Sequence, residues 1–576
     1  MGVLRKKPDL IKQQIGEMGY LGDYSFTVTE LEWERVFLRF VVETDYPGVP
    51  SFALKSLTTR ELVPLSWEWH DGDRYGFSVN ITAAKGRSFL DNGRWVVAFE
   101  LTEDMKVPSF VLEAPEEHYR YQQCYVDADL AYSLEDQTRI FRYGGNKFAY
   151  TVNFTIASRD DVHLEMRMAA YFMEKNEKWN RRRYVHEAMS WRRKLAKVWY
   201  AFAVMSMNLV YRVVGIGCPK NGKNIMIMSE TGDELVGNLR AIDDRLRERG
   251  LDKTLHITRS ARRSVGETKS VFSWAKLIVK IARQNVIIVD NYVPVFSFLE
   301  LRKDVQLIQV WHAGGGFKAV GYCRFGKSGS PYPAGSCHKA YTTALCGAPH
   351  LIPVFEEVFG IEGKDILPIG MPRLDGYLDP ERIEEFRKAF YSDHPELLGK
   401  KIILFAPTYR GVGQKTAHYD QDKIDLAQIY EACGDEYVFL IKLHPFILER
   451  FEIPEKLKDR IYDFSDFASI NDLFYVTDLL ITDYSSNFYE FSLMRKPMLF
   501  YTYDRSVYEL TRGVYRWVKD SAPGKVCDSF EELVEAIKTK DFEFEKVDRF
   551  VEDNFAGVEG GASDLLIDEV ILRGRN

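Results

Sequence analysis

Two segments bring an apolar run to a stop at groups able to bind an anion or take a proton. Leu479-Leu480-Ile481-Thr482 reads as a buried strand that ends at Asp483-Tyr484-Ser485-Ser486, where a helical pattern starts. Backbone N–H groups at a helix start carry partial positive charge, and Ser485 and Ser486 add hydroxyls without bulk, so a phosphate can dock there. The same residues also serve as plain helix caps, so the segment needs partners elsewhere. In the second segment, Gln309-Val310-Trp311 leads His312 into Ala313-Gly314-Gly315-Gly316-Phe317-Lys318. Glycine lets a backbone approach a ligand closely, and an imidazole accepts a proton near neutral pH. His312 is therefore a candidate general base, with Gly314 and Lys318 on the ligand side; the plainer alternative is a structural histidine on a strand.

Three further segments repeat the theme. Leu440-Ile441-Lys442-Leu443-His444-Pro445 ends a strand at a second histidine, because Pro445 stops regular pairing. Lys442 shares the His444 face under two-residue periodicity, as an anion contact or as a solvated strand end. Leu404-Phe405-Ala406-Pro407-Thr408-Tyr409-Arg410-Gly411 offers Thr408 and Arg410; the guanidinium either grips a phosphate through two parallel bonds or joins an ion pair. Gly370-Met371-Pro372-Arg373-Leu374-Asp375 lies where two sheets should join, and Arg373 and Asp375 read equally as ligand contacts or as structural residues. Two imidazoles, an Arg, a Lys and a helix start at strand ends suit a diphosphate. No carboxylate cluster with metal-ligand spacing, HExxH, P-loop or GxSxG elbow accompanies them, so catalysis with no bound metal and no cofactor is the simpler inference.

The elements that must position these groups fall into three regions. From about residue 31 to 157, short alternating runs such as Val36 to Val42, Arg74 to Ile81 and Trp95 to Leu101 are broken by Gly, Pro, Asn and Asp, which predicts an antiparallel β domain of sandwich type. Residues 181–197 are basic (Arg181, Arg182, Arg183, Arg192, Arg193, Lys194, Lys197), and Val198 to Val210 is apolar and aromatic. That apolar part is about half of the ~20 residues that cross a bilayer; it suits an interfacial helix or a helix packed on its own domain. From Asn224 onward strands alternate with helices in two sets of four strands, which predicts two parallel-sheet domains. Ligands of such sheets sit beyond the carboxyl ends of the strands. The expected division is 1–180, 181–216, 217–380 and 381–576.

The chain has 576 residues, 46% hydrophobic and 28% charged, which allows a large core in several domains. A net charge of -7 argues against general nucleic-acid binding. Seven scattered cysteines with no CxxC pair suit a reducing compartment, and no secretory signal is legible in residues 1–22.

With these segments assembled, the chain resembles the CDP-glycerol glycerophosphotransferase family, the teichoic-acid and capsule polymerases and primases. The resemblance rests on Trp311-His312-Ala313 with Phe317-Lys318 and Gly321-Tyr322, Gly370 to Asp375, Ala406 to Arg410, Lys442 to Pro445, Asp478 to Ser486 through Lys496-Pro497, and the closing Phe555 to Ser563. It implies an α/β fold with two Rossmann-like domains in a glycosyltransferase-B arrangement after the β domain, and a peripheral position on the cytoplasmic membrane face. It implies transfer of glycerol phosphate or ribitol phosphate from CDP-glycerol or CDP-ribitol to a lipid-linked saccharide or growing polyol-phosphate acceptor. By motif, His312 is the base and His444 a diphosphate partner. Ser485 and Ser486 hold phosphate with help from Arg410, and Thr408, Asp483, Arg373, Lys318 and Gly314 complete the CDP side. The glycine run and Leu374 depart from the family pattern. A sugar transferase of the same architecture and a non-catalytic binding protein are the rival readings.

Overall fold

The computed structural model describes residues 24–59, 61–86, 88–100, 121–134, 137–143, 148–174, 191–230, 233–261, 270–312, 314–315, 320–324, 337–411, 416–555 and 560–572. Lys318, Arg181, Arg182 and Arg183 lie outside them. The fold is mixed α/β with several sheets, in two compact units: Met1–Arg193 with Ser506–Arg512, and Lys194–Arg505 with Gly513–Asn576.

The first unit holds two sheets around one core. One has the order Trp69–Asp71, Arg74–Asn80, Phe37–Thr44, Phe26–Glu34, Tyr125–Val126 and is antiparallel up to its last, parallel pairing. The other runs Thr138–Tyr143, Phe148–Ala157, Glu165–Glu174, Gly93–Glu100, Ser51–Ser56, Leu62–Leu65, with Gln122–Gln123 beside Gly93–Glu100. Alternation along the strands sends Phe26, Val28, Phe40 and Val42 inward to meet Phe52 and Phe99 from the second sheet. Phe26 and Phe99 stack with ring centroids 3.7 Å apart.

The second unit contains two six-stranded sheets, parallel throughout. The first has the order His256–Ala261, Asn224–Ser229, Val286–Val289, Gln306–Gln309, Thr343–Leu345, Ile366–Leu367. The second has the order Ile461–Asp463, Tyr437–Ile441, Lys401–Phe405, Leu479–Thr482, Met498–Tyr501, Lys525–Cys527. Strands buried on both faces read as continuous apolar runs, as in Val286–Val289 and Leu479–Thr482. Each sheet also gains two short strands, of two or three residues, that were not expected from the sequence. So short a run shows no period to read. In the second sheet, strand order reverses between Lys401–Phe405 and Leu479–Thr482, and their carboxyl ends lead straight to Thr408, Arg410, Asp483 and Ser485.

The helix Trp191–Ile216 packs on the first of these sheets through Tyr211, Met207 and Val214. The Tyr211 hydroxyl accepts from the Arg302 N–H at 3.1 Å, and the Asn208 amide bonds Phe298 O at 3.0 Å and Glu300 N at 2.8 Å. The opposite side leaves Val198, Trp199, Tyr200, Phe202, Met205, Leu209, Val213 and Ile216 exposed. The apolar stretch is longer than the sequence suggested: Val198–Ile216 is 19 residues of mean hydropathy 1.3, 17% buried, enough by length and composition to cross a bilayer. The helix runs without interruption past Val210, through Tyr211 and Arg212, to Ile216.

The two parallel sheets are joined by close contacts. The Tyr489 hydroxyl donates to Gly315 O at 3.0 Å, and a Cβ on Gly315 would lie 1.8 Å from the Tyr489 ring. Arg373 pairs with Glu490, and Asp375 accepts from the N–H groups of Ala562 and Ser563 at 2.7 and 2.8 Å. Asp564 pairs with Arg245 and Arg249 at 2.7 and 2.9 Å. The middle glycine of the three-glycine run therefore makes room for a neighbouring ring. Gly315→Ala should lower unfolding free energy by about 1–3 kcal/mol through overpacking, measured by denaturant titration, and Tyr489→Ala in the same chain should return part of that loss.

Candidate active site

In the second sheet, the strand ends at Thr408 and Asp483 are tied together before any ligand is considered. Asp483, 1% exposed, accepts from the N–H groups of Thr408 at 2.8 Å and Tyr484 at 2.6 Å. Arg410, 3% exposed, donates to Asp483 at 2.9 Å, to Asp504 at 2.6 and 2.8 Å and to Thr408 O at 2.6 Å. Its guanidinium lies 5.3–5.5 Å from the ring centroids of Tyr419, Tyr484 and Tyr503. Burial alone would lower the Arg410 pKa, but Asp483 and Asp504 hold it well above its usual value. This departs from the expectation that Arg410 grips a phosphate and Asp483 contacts the donor: their charges are spent on each other and on Asp504. The reason lies in partners 73 and 94 residues away in sequence.

Thr408 places a buried hydroxyl at the same edge, without a hydrogen-bond partner among the described residues. Ser485 accepts from the Asn487 N–H at 3.3 Å, and Ser486 is the N-cap residue of the helix Asn487–Ser492 without a side-chain cap bond. That helix is only six residues long, so backbone N–H groups and hydroxyls, more than a macrodipole, are what this seat offers. His444 is half-buried between Tyr409 and Phe446, with ring centroids at 4.8 and 4.7 Å. Its Nδ1 accepts from the Phe446 N–H at 3.1 Å, which assigns the neutral ring's proton to Nε2. Lys442 is neither an anion contact nor a solvated strand end. It is buried, its Nζ donates to Ser465 O at 2.7 Å, and burial, aided by Arg450, lowers its pKa.

In the first sheet, the Gln306–Gln309 strand ends at Trp311, a buried residue with φ +46°. A bulky residue in the left-handed region carries strain of about 1–3 kcal/mol and persists where its surroundings fix it. The next residue, His312, is exposed, with its ring centroid 4.4 Å from that of Trp311. Gly314 is buried against Gly347 and Met371, its carbonyl accepting from the Gly347 N–H at 3.1 Å, so its missing Cβ serves packing within the protein. Arg373 pairs with Glu490 through Nη2, while its Nε is buried without a partner among the described residues.

Sequence reading missed several residues at these edges. Asp290 ends the Val286–Val289 strand beside Ser229, at the reversal point of the first sheet's strand order, and burial raises its pKa to about 6. His338, behind Trp311, is held neutral by burial, its pKa lowered to about 4. A strand-end polar residue is the only sequence signal for Asp290. Among the described residues, no three His, Cys, Asp or Glu side chains form a group spaced to hold a metal ion.

Residues 210–572 match the model of the CDP-Glycerol:Poly(glycerophosphate) glycerophosphotransferase family, well over half of the chain. The chain belongs to that family. It is 29% identical over 560 residues to the teichoic acid ribitol-phosphate polymerase TarL of Staphylococcus aureus, covering 94% of this chain and 98% of TarL. It is 35% identical over 355 residues to the S. aureus ribitol-phosphate polymerase TarK, covering 62% and 69% of the two chains. A structure of the wall teichoic acid polymerase TagF soaked with CDPG superposes with a TM-score of 0.50 at 20% identity, over 66% of this chain and 96% of that one.

For a member of this family, the Arg410 cluster makes a sharp forecast. Arg410→Ala leaves two carboxylates buried and unpaired, which should lower stability by about 3–5 kcal/mol. Chemical denaturation should show this loss of stability, where a residue that only touched substrate would show a raised KM and unchanged unfolding.

Proposed function

We propose that this chain is a CDP-ribitol-dependent or CDP-glycerol-dependent polyol-phosphate transferase that extends a teichoic-acid-type polymer. The observation that carries the reading is the pair of accessible imidazoles, His312 and His444, each at the carboxyl end of a strand in a different parallel sheet of one compact unit. Ribitol is the favoured polyol, because the likeness to TarL runs through the β-rich first unit as well as the transferase part.

In this reading the two sheets form Rossmann-like domains in a glycosyltransferase-B arrangement, with the acceptor on the first and the CDP-alcohol on the second. The acceptor's terminal hydroxyl gives its proton to His312 as its oxygen attacks the phosphorus that bears the polyol. The bond from that phosphorus to the bridging oxygen breaks, and CMP leaves. Charge growing on the diphosphate is met by the His444 Nε2–H, the Thr408 hydroxyl and the Ser485–Ser486 turn, donors already fixed before the reaction. Arg410 and Asp483 work from behind, by holding the two strand ends in place.

His312→Ala should lower turnover about 10²-fold or more, since general-base catalysis contributes that much. The measurement is CMP release from CDP-ribitol and CDP-glycerol, with CDP-ribitol affinity followed by calorimetry and expected to hold. Near-normal CMP release by the folded variant, or turnover of UDP-sugars in place of CDP-alcohols, would reject the reading.

The exposed face of Trp191–Ile216 supports peripheral attachment to the cytoplasmic face of the membrane. An exposed aromatic and aliphatic stripe gains free energy by entering the interface between headgroups and acyl chains. Replacing Trp199, Phe202 and Leu209 together by Ser should abolish sedimentation with anionic phospholipid vesicles and leave CMP release with a soluble acceptor intact. Vesicle binding unchanged by the triple substitution would end the proposal.

A further inference from the structure

We propose that Asn238 is a positioning residue for the base: it holds the main chain beneath His312 in one conformation and ties it to the phosphate-binding half. The inference rests on the reading of His312 as the base. Asn238 is buried near the start of the Gly237–Glu248 helix. Its Nδ2 donates to the carbonyls of Val310 at 3.2 Å and Trp311 at 2.6 Å, the last two peptide groups before His312. Its Oδ1 accepts from the Arg373 N–H at 3.0 Å. Arg373 in turn pairs with Glu490, four residues after Ser486. One carboxamide thus joins the main chain bearing the imidazole to the segment that grips the helix behind the phosphate seat.

Trp311 needs such support. Its left-handed backbone is unfavourable for a bulky side chain, so the peptide groups on both sides must be fixed by bonds. On the other side, Gln309 Oε1 accepts from the Trp311 N–H at 2.8 Å. Gln309 is itself held, donating to Asn291 O at 3.1 Å and to the Tyr341 hydroxyl at 2.9 Å. The indole rests edge-on against Phe359 and His338, with centroids at 5.4 and 6.1 Å. Removing the Asn238 amide leaves the Trp311 carbonyl without this bond and lets the peptide plane before His312 rotate. A base displaced by about 1 Å can lose on the order of 10²-fold in rate.

The test is a double-mutant cycle on CMP release with the full chain. Asn238→Ala should lower kcat by about 10- to 10²-fold, with donor KM within about twofold of the starting protein. In the His312→Ala background the same substitution should cause no further loss, because a group acting through the imidazole has nothing left to position. Asn238→Asp keeps the acceptor for Arg373 and loses the two donated bonds; it should behave like Asn238→Ala and serves in its place if Asn238→Ala does not fold. Equal loss in both backgrounds, or full kcat in the folded variants, overturns the proposal. Activity retained by His312→Ala rejects instead the reading of the base itself.

Discussion

A histidine on one parallel sheet and the proposed phosphate seat on another are useful together only if the sheets keep register, and Glu490 and Tyr489 stand at that joint. Glu490, 3% exposed, takes Arg373 as its ion partner. Tyr489 reaches across to the carbonyl of Gly315, three residues past His312. A buried carboxylate left without its cation is costly, so the pair resists separation more strongly than it adds net stability. Farther from the site, Asp375 holds the start of Ala562–Leu566, returning the end of the chain to the first sheet, where Leu566 and Ile567 enter its core. The proposed chemistry therefore hangs on contacts within the protein itself.

The edge proposed to bind phosphate follows the same logic. Arg410 between Asp483 and Asp504 makes a cluster with one more carboxylate than guanidinium. Such a cluster offers no surplus positive charge to a diphosphate. What it gives is position: the Thr408 and Tyr484 N–H groups are both engaged by Asp483, so two adjacent strands finish at a fixed level. Among the described residues at this edge, the groups proposed to meet phosphate charge are neutral donors, namely hydroxyls, backbone N–H groups and an imidazole N–H. Neutral donors carry smaller desolvation penalties than buried cations and can stand ready between turnovers.

Much of this was legible from the residues in order. His312 and His444 announce themselves because each follows an apolar run and stands before residues that end regular strand, a three-glycine run from Gly314 in one case and Pro445 in the other. The long strands are legible because they read as apolar runs, and Leu479–Thr482 falls where the sequence places it. Roles that depend on partners distant in sequence were not legible. Arg410 stands at the anticipated edge, yet nothing within ten residues reveals that Asp483 and Asp504 will neutralise it. Asn238 sits 73 residues before the carbonyl of Trp311 that it holds, on a helix whose pattern signals only amphipathicity. Lys442 and His444 share a strand-end pattern, but only the three-dimensional path of Ser465 decides that Lys442 turns inward.

The left-handed turn at Trp311 explains why the proposed base is mounted here and not on a regular strand. In an extended chain successive side chains alternate between faces, so a residue just beyond the sheet edge would be carried back over one of the covering helix layers. Positive φ at Trp311 breaks that alternation within one residue. The indole stays in the core against Phe359 while the imidazole comes out exposed beside it. Glycine would adopt this backbone without strain but would supply no ring to lie 4.4 Å from His312. The strain at Trp311 and the bonds that hold it thus serve a single end, an imidazole, the proposed base, that is exposed and fixed in direction beside a buried ring.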